Sequence, residues 1–157
     1  SGQEFEHLPM FEDDIFLAVN KDSKYVGCDE IDLSLLKDET FLTLAKGFAT
    51  RSDSDVVFEK AKIDPKVFLQ VSDIFTLISM VSSGVGFALL PGRISTIYES
   101  SVKLIRLKQE YRIKQEIGLV FLKSKERDPN VLALIAECRM FTQKYNALKA
   151  KKGNSPS

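Results

Sequence analysis

Residues 80–91, with the sequence MVSSGVGFALLP, constrain the fold of this chain more than any other segment. The apolar residues just before them recur three or four positions apart, a spacing that predicts an amphipathic helix. Gly84 is placed to end that helix, and Gly86 leaves room for close backbone packing. The apolar run at residues 87–90 predicts a buried strand, which Pro91 closes. The segment therefore predicts a helix that leads directly into a buried strand.

Segments typical of strands and of helices alternate along most of the chain. Apolar runs predict strands at residues 15–19, 41–44, 68–71, 87–90, 103–107 and 115–122. Ser52 or Asp53 is suited to cap the helix after the second strand, and Ser72 or Asp73 the helix after the third. This alternation predicts an α/β fold with a mostly parallel sheet flanked by helices.

Proline and composition predict where the first strand and the last helix begin and end. The first strand is expected to start after Pro9, which has no amide hydrogen for a sheet. Pro129 lies in the first turn of a long final helix, where a missing amide costs nothing. One face of that helix is predicted to be apolar, formed by Val131, Leu134, Ile135, Cys138, Phe141 and Tyr145. From Lys149 onward the polar composition predicts a frayed tail.

The composition favours a globular protein without an excess of charge. The chain has 157 residues, enough for one sizeable core, and 44% of them are apolar while 28% are charged. Lys and Arg together number 22, as do Asp and Glu, so the basic excess typical of nucleic-acid binding is missing. No run reaches the ~18 apolar residues that a membrane span requires. Cys28 and Cys138 are expected to be reduced thiols of a cytoplasmic protein, with a disulfide as the alternative.

The residues offer little support for catalysis, metal binding or a cofactor. His7 is the single histidine and lies in a polar stretch with no partner residue nearby, so a nucleophilic relay is not expected. One histidine and two distant cysteines cannot form a closed zinc site. The glycines at 84 and 86 follow a helix and open a strand, the reverse of a dinucleotide-binding fingerprint. We therefore predict no enzyme activity, no metal and no cofactor.

The loop at residues 46–55 is the best candidate for ligand binding. It follows a predicted strand and precedes a predicted helix, which is where open α/β sheets bind ligands. Unpaired amides at a helix N-terminus suit a small anion, and Thr50, Arg51 and Ser52 would add further donors. An ordinary capped loop with a solvated arginine explains the same residues equally well.

Three segments together resemble a known family. They are FLTLAKGFATRSDSDVVFEKA, then VFLQVSDIFTLISMVSSGVGFALLP, then IGLVFLKSKERDPNVLALIAECRMFTQKY. Their order is similar to that of the effector-binding domain of LysR-type transcriptional regulators, over roughly residues 9–145. The most specific piece is Gly-x-Gly-x-x-x-x-Pro, formed here by Gly84, Gly86 and Pro91.

The resemblance implies a fold of the type 2 periplasmic-binding-protein kind, in which an effector lies between two Rossmann-like lobes. Residues 1–14 would hold an N-terminal segment and the first hinge crossing, and 15–108 the second lobe. Residues 109–148 would form the return strand and final helix of the first lobe, followed by a flexible tail at 149–157. The chain would then be a fragment that lacks the DNA-binding domain and part of the first lobe.

The resemblance also implies a function and a site. The function would be to sense a small anionic effector without enzyme chemistry and so to modulate DNA binding and transcription. The partners would be that effector, a second copy of the protein in a dimer or tetramer, and DNA only through a domain absent from this chain. The effector-binding residues would be Phe48, Ala49, Thr50, Arg51, Ser52 and Phe87, although Phe87 is equally suited to the core. Position 49 holds alanine where some relatives of the family place a threonine.

Two alternatives remain open from the sequence. A solute-binding protein of a transport system shares the fold, and the lack of an export signal in the acidic N-terminus counts against it. A small-molecule enzyme on an α/β scaffold would need a catalytic pair that the residues do not offer.

Overall fold

A computed structural model describes residues 3–96 and 101–153 of the chain. They form two compact units: one comprises Asp14–Lys114, and the other joins the residues up to Asp13 to those from Gln115 onward. The strands are β1 (Phe5–Asn20), β2 (Glu30–Ile31), β3 (Thr40–Leu44), β4 (Lys66–Val71), β5 (Ala88–Pro91), β6 (Val102–Leu107) and β7 (Lys114–Leu122). The α-helices are α1 (Ala49–Lys60), α2 (Ile74–Ser82) and α3 (Pro129–Gly153). Short 3-10 helices lie at Leu33–Leu36, Gly92–Thr96, Gln109–Tyr111 and Lys123–Lys125.

The sheet of the larger unit is mostly parallel, as the alternation of strands and helices predicts. Its hydrogen-bonded order is β2-β6-β1-β5, and β3 pairs with β4. β5 and β6 both lie antiparallel to β1 and so share one direction. β2 is parallel to β6, and β4 is parallel to β3. A parallel bridge between Phe41 and Phe87 links β3 to β5. Among these described strands, β1 alone is therefore antiparallel to the others.

The joint between α2 and β5 has the form that the glycine pattern predicts. Gly84 follows α2 with a φ of +78°, a left-handed conformation that glycine adopts without strain. A Cβ atom on Gly86 would lie 2.9 Å from the carbonyl oxygen of Thr40, so only glycine lets this backbone approach β3. The amide of Phe87 donates to that same oxygen over 2.9 Å, and the amide of Leu42 donates to the oxygen of Phe87 over 2.7 Å.

Two buried apolar clusters fill the larger unit, one involving β1, β3 and α1 and the other centred on α2 and β5. Side chains from alternate positions of β1 enter different clusters: Leu17 and Val19 belong to the first, and Ala18 to the second. This alternation is the period of two expected of a strand covered on both faces. It explains why residues 15–19 read as a continuous apolar run.

The prediction that Ser52 or Asp53 caps α1 is wrong. The helix begins at Ala49, Phe48 occupies the N-cap position, and no side chain caps the helix there. The amides of Arg51 and Ser52 instead donate to the carbonyl oxygen of Phe48 over 3.1 and 3.2 Å. A capping side chain contributes only about 1 kcal/mol, which tertiary packing can outweigh. For the next helix the prediction is confirmed, since the side chain of Asp73 caps α2.

The first strand and the last helix are longer than predicted. β1 begins at Phe5 and passes through Pro9. Next to the proline, a Cβ atom added to Gly118 would lie 2.5 Å from the carbonyl oxygen of Leu8. The missing side chain of Gly118 thus lets the backbone of β7, which pairs with β1, come close beside the proline. α3 continues to Gly153, past the tail predicted from Lys149. The ammonium group of Lys149 donates to the carbonyl oxygen of Glu12 over 3.1 Å, a contact that composition does not reveal.

The smaller unit buries few side chains. Tyr145 of α3 is buried and contacts Phe11 of β1, with ring centroids 4.7 Å apart, and its hydroxyl donates to the buried carboxylate of Asp13. The predicted apolar face of α3 is only partly covered, since Leu134 is 53% exposed. Cys28 is exposed, Cys138 is half-buried, and both are free thiols as predicted.

Candidate functional site

A pocket of about 370 Å³ lies in the larger unit, where β3, β4 and β5 end. The residues that line it are Leu44, Phe48, Thr50, Ser72, Asp73, Ile74, Pro91, Arg93 and Ile94. We call it the carboxyl-end pocket, because these parallel strands all point their carboxyl ends toward it. The corresponding place in other open α/β sheets is where ligands bind.

Local sequence explains why polar groups gather at the carboxyl-end pocket. Each of the three strands is followed within a few residues by a helical segment, so that helix starts and strand ends alternate around it. Phe48 precedes the first turn of α1, and Asp73 precedes that of α2. Pro91 ends β5, and Arg93 lies in the 3-10 helix that follows at once. First-turn amides of a helix have no intrahelical acceptor, which makes such ends suitable for polar ligands.

The carboxyl-end pocket carries one cationic and one anionic side chain. Arg93 is half-buried, and Thr50 and Ser72 add hydroxyl groups. The carboxylate of Asp73 accepts hydrogen bonds from the amides of Phe75 and Thr76 over 3.2 and 3.1 Å and from the Thr76 hydroxyl over 2.8 Å. The bond from the Thr76 hydroxyl is the main cause that lowers the pKa of Asp73 below its ordinary value. Asp73 is therefore ionised at neutral pH.

Apolar side chains form the floor of the carboxyl-end pocket. Leu44, Pro91 and Ile94 are buried, while Phe48 is 40% exposed at the rim. A concave apolar surface with a few placed polar groups is the usual composition of a small-molecule site. This pocket is consequently suited to a small ligand that has a short apolar part and a charged or hydroxyl group.

The predicted site residues divide between the pocket and other places. Phe48 and Thr50 line it. Ala49 and Ser52 lie in the first turn of α1 with exposed side chains, outside the pocket lining. Phe87 immediately precedes β5 and so lies at the amino end of this strand, whereas the pocket lies at its carboxyl end. Its ring packs against Tyr25, with ring centroids 5.7 Å apart.

Arg51 is held by groups of the protein itself. Its Nε donates to both carboxylate oxygens of Asp55, over 3.0 and 3.1 Å, and its Nη1 donates to the carbonyl oxygen of Leu44 over 3.0 Å. The side chain is 13% exposed and is not part of the pocket lining. Its guanidinium therefore ties the first turn of α1 to the end of β3.

Sequence reasoning missed Arg93, and it saw Ser72 and Asp73 only as candidate caps. The signal for Arg93 was its place two residues after Pro91, at the carboxyl end of a predicted strand. Elsewhere in the described part of the chain, no group of three or more His, Cys, Asp and Glu residues is placed to hold a metal ion. His7 is exposed on β1 in the smaller unit. No helix of the described residues is long and apolar enough to span a membrane.

Comparison with protein families agrees with the resemblance seen in the sequence. A family model described as the LysR substrate binding domain matches residues 1–143. The chain belongs to this family. Membership in the LysR substrate-binding family confirms the fold class predicted from the three sequence segments.

Curated relatives of this LysR-family chain are transcriptional regulators. It is 42% identical over 142 residues to the malonate utilization transcriptional regulator of Klebsiella pneumoniae, covering 90% of this chain and 46% of the relative. It is 26% identical over 122 residues to YybE of Bacillus subtilis, described as an uncharacterized HTH-type transcriptional regulator, covering 78% of this chain and 41% of the relative. The chain thus spans less than half the length of these relatives.

Solved structures of the LysR family share the fold at low sequence identity. The CcmR regulatory domain of Synechocystis in complex with 2-PG matches with a TM-score of 0.73 and 18% identity, over 90% of this chain and 69% of that one. The effector-binding domain of QuiR in complex with shikimate matches with a TM-score of 0.64 and 21% identity, over 94% of this chain and 66% of that one. At such identities the likeness concerns the fold alone.

Proposed function

We propose that this chain is the effector-sensing part of a LysR-type transcriptional regulator and that its effector is a small organic anion. The observation that carries the proposal is the carboxyl-end pocket, which combines Arg93 with the hydroxyl groups of Thr50 and Ser72 above an apolar floor. The pocket lies at the carboxyl ends of parallel strands, which is where open α/β sheets bind ligands. The chain that contains it is matched by the LysR substrate-binding family over residues 1–143.

Short carboxylates are the effectors that the pocket and the relatives favour together. The volume of about 370 Å³ is at the low end of the range for ligand pockets, which suits a small molecule. The relative with 42% identity is named for malonate utilization, and malonate is a short carboxylate. Malonate is therefore the first probe to use.

The effector acts by binding alone, without covalent chemistry. It stabilises one conformation of the regulator over another by the difference in its affinity for the two. That preference changes DNA binding through a domain outside this chain, in a cytoplasmic protein that works as a dimer or tetramer. The two regulator relatives support this role over the alternative of a solute-binding protein for transport.

Isothermal titration calorimetry and thermal shift with a panel of short carboxylates test the proposal on this chain and on the full-length protein. We expect at least one acid to bind and to raise Tm, because a ligand that binds only the folded state stabilises it. Thr50→Val should weaken binding of that acid by about ten-fold or more, since a lost hydrogen bond to a charged group costs about 1.5–3 kcal/mol.

Thr142→Val is the matched control. The Thr142 hydroxyl donates to the carbonyl oxygen of Cys138 within α3, in the other unit, so this change removes a similar hydroxyl far along the chain from the pocket. It should leave the affinity unchanged. The proposal fails if no acid of the panel binds to either form of the protein.

A further inference from the structure

We propose that Ser54, a buried residue of α1, is a positioning residue that holds two walls of the carboxyl-end pocket at the spacing the effector needs. One wall is the first turn of α1, which carries Thr50, and the other begins at Pro91, where β5 ends. The inference rests on the proposed function, which supplies the effector. Ser54 is not part of the pocket lining, so it acts through these walls.

The two walls follow strands that are paired only far from the pocket. β3 leads into α1, and β5 leads into the 3-10 helix Gly92–Thr96. In the described chain, the pairing of β3 with β5 is confined to the bridge between Phe41 and Phe87, near the amino ends of both strands. No ladder continues from this bridge toward the pocket. Strand pairing alone therefore does not fix the distance between the two strand ends.

The hydroxyl of Ser54 makes a contact between α1 and β5 beyond that bridge. It donates to the Thr50 carbonyl oxygen over 2.7 Å, and the Leu89 carbonyl oxygen also lies within reach at 3.4 Å. Ser54 is 5% exposed, so water hardly competes for these contacts. Leu89 lies two residues before Pro91. One buried hydroxyl thus joins the wall that carries Thr50 to the strand that ends at Pro91.

Ser83, at the end of α2, makes a similar local bond without reaching another strand. Its hydroxyl donates to the carbonyl oxygen of Ser79, four residues earlier, over 2.9 Å. Such a bond is common for a serine in a helix and connects groups of one helix only. Ser83 is exposed, whereas Ser54 is buried and also contacts Leu89. The contact with β5 is therefore the feature that sets Ser54 apart.

The apolar contacts of α1 hold the body of the helix but define its first turn less well. Val57 and Phe58 are buried in the same cluster as Leu89, and both lie in the second half of the helix. Apolar burial is non-directional, whereas a hydrogen bond depends on the distance and angle between its atoms. Without the Ser54 hydroxyl, the first turn can shift relative to β5. The apparent affinity then falls with the fraction of the protein that keeps the binding geometry.

Isothermal titration calorimetry with malonate on the full chain tests this role, at a temperature where each variant is folded by circular dichroism. Ser54→Ala should weaken binding by about three- to ten-fold, the size of effect expected from one hydrogen bond. Ser54→Thr keeps the hydroxyl and should stay within about two-fold of the wild type. Ser83→Ala removes the same kind of local bond, and it should bind malonate like the wild type.

Val57→Ala separates positioning from stability. It removes buried apolar contacts from the same helix and should lower Tm at least as much as Ser54→Ala, yet change the malonate affinity little. Hydrogen exchange of residues 45–53 provides a second readout. These amides should exchange faster in Ser54→Ala than in the wild type without ligand, and saturating malonate should reduce the difference because it stabilises the ordered state.

Several outcomes overturn the inference while leaving the proposed function intact. One is equal malonate affinity in the wild type and Ser54→Ala; another is a loss in Ser54→Thr or Val57→Ala as large as that in Ser54→Ala. If Ser54→Ala does not fold, Ser54→Cys decides in its place, since a thiol is only a weak donor and should also weaken binding. If malonate does not bind, the tightest acid of the panel replaces it. If the wild type binds no acid of the panel, the proposed function and the inference fail together.

Discussion

Gly86 has no space for a side chain without movement of the neighbouring strand. An added Cβ would lie 2.9 Å from the Thr40 oxygen and 3.2 Å from the Leu42 side chain, so β3 and β5 would have to move apart. We expect Gly86→Ala to lower the free energy of unfolding by about 1–3 kcal/mol, the usual cost of overpacking. Urea denaturation measures the change.

Gly27→Ala is the control for that substitution. Apart from Gly27 itself and its two chain neighbours, no residue has an atom within 4 Å of a Cβ added there, and the φ of Gly27 is not in the left-handed region. Its effect should stay within about 0.5 kcal/mol. Equal midpoints for the two variants would show that the backbone approach at Gly86 is not a constraint.

Asp73 gives the larger unit a dependence on acid pH. Hydrogen bonds, above all from the Thr76 hydroxyl, hold the pKa of Asp73 below its ordinary value of 3.8. A carboxyl group with a lowered pKa in the folded state stabilises the protein above its unfolded pKa, and this contribution is lost as the pH falls through the folded pKa.

We therefore expect Tm to fall more between pH 5 and pH 2 in the wild type than in Asp73→Asn, which has no charge to lose. Differential scanning fluorimetry across this range provides the measurement. Glu126→Gln is a suitable comparison, because it also removes one carboxylate and that side chain is exposed. Parallel curves for wild type and Asp73→Asn would contradict the prediction.

Single residues also show which features of the carboxyl-end pocket can be inferred from the sequence. Phe48 and Thr50 were predicted because a loop between a strand and a helix is a general ligand position, and both line the carboxyl-end pocket. Arg51 was predicted to contact the ligand because it adds a guanidinium to the start of a helix that follows a strand. Its ion pair with Asp55, four residues further along α1, cannot be inferred from spacing alone. Arg93 joins the same pocket from a segment more than 40 residues later, which only the order of strands in the sheet reveals.

At the level of elements, the type of each segment was easier to predict than its ends. The runs at 15–19 and 87–90 were recognisable as strands because they are apolar throughout, which is what a strand covered on both faces requires. The start of α1 was misplaced, since the preference for Ser or Asp at an N-cap is weak compared with tertiary contacts such as that of the Ser54 hydroxyl with the Leu89 oxygen.

β4 is an exposed sheet edge with apolar side chains. Among the described strands it pairs only with β3, and Phe68 is 67% exposed. Unpaired edge strands with exposed apolar residues promote association with other chains. We expect Phe68→Lys to shift the chain toward the monomer in sedimentation velocity, without lowering Tm.

Leu35→Lys provides the comparison for β4. Leu35 is 77% exposed but lies in the 3-10 helix Leu33–Leu36, away from any strand edge. This change should leave the association unaltered. If the two variants sediment alike, the edge of β4 does not mediate association.

At the level of the whole molecule, the two units differ in how much they bury. The larger unit contains both apolar clusters, whereas in the described part of the smaller unit only Asp13 and Tyr145 are classed as buried. Burial of apolar surface is the main favourable term in folding. The smaller unit should therefore open more readily than the larger one.

Hydrogen exchange measured by mass spectrometry on the intact chain tests this difference. Amides of β7 and α3 should exchange faster than those of β5, β6 and residues 15–19, because segments with few buried contacts open at low free energy. Tyr145→Ala removes the ring that packs on Phe11 and Phe141, and it should speed exchange in β7 and α3 while leaving β5 unchanged. Val57→Ala, in the core of the larger unit, should instead speed exchange in β3 and β5. Uniform acceleration of all segments by Tyr145→Ala would mean that the two units unfold as one.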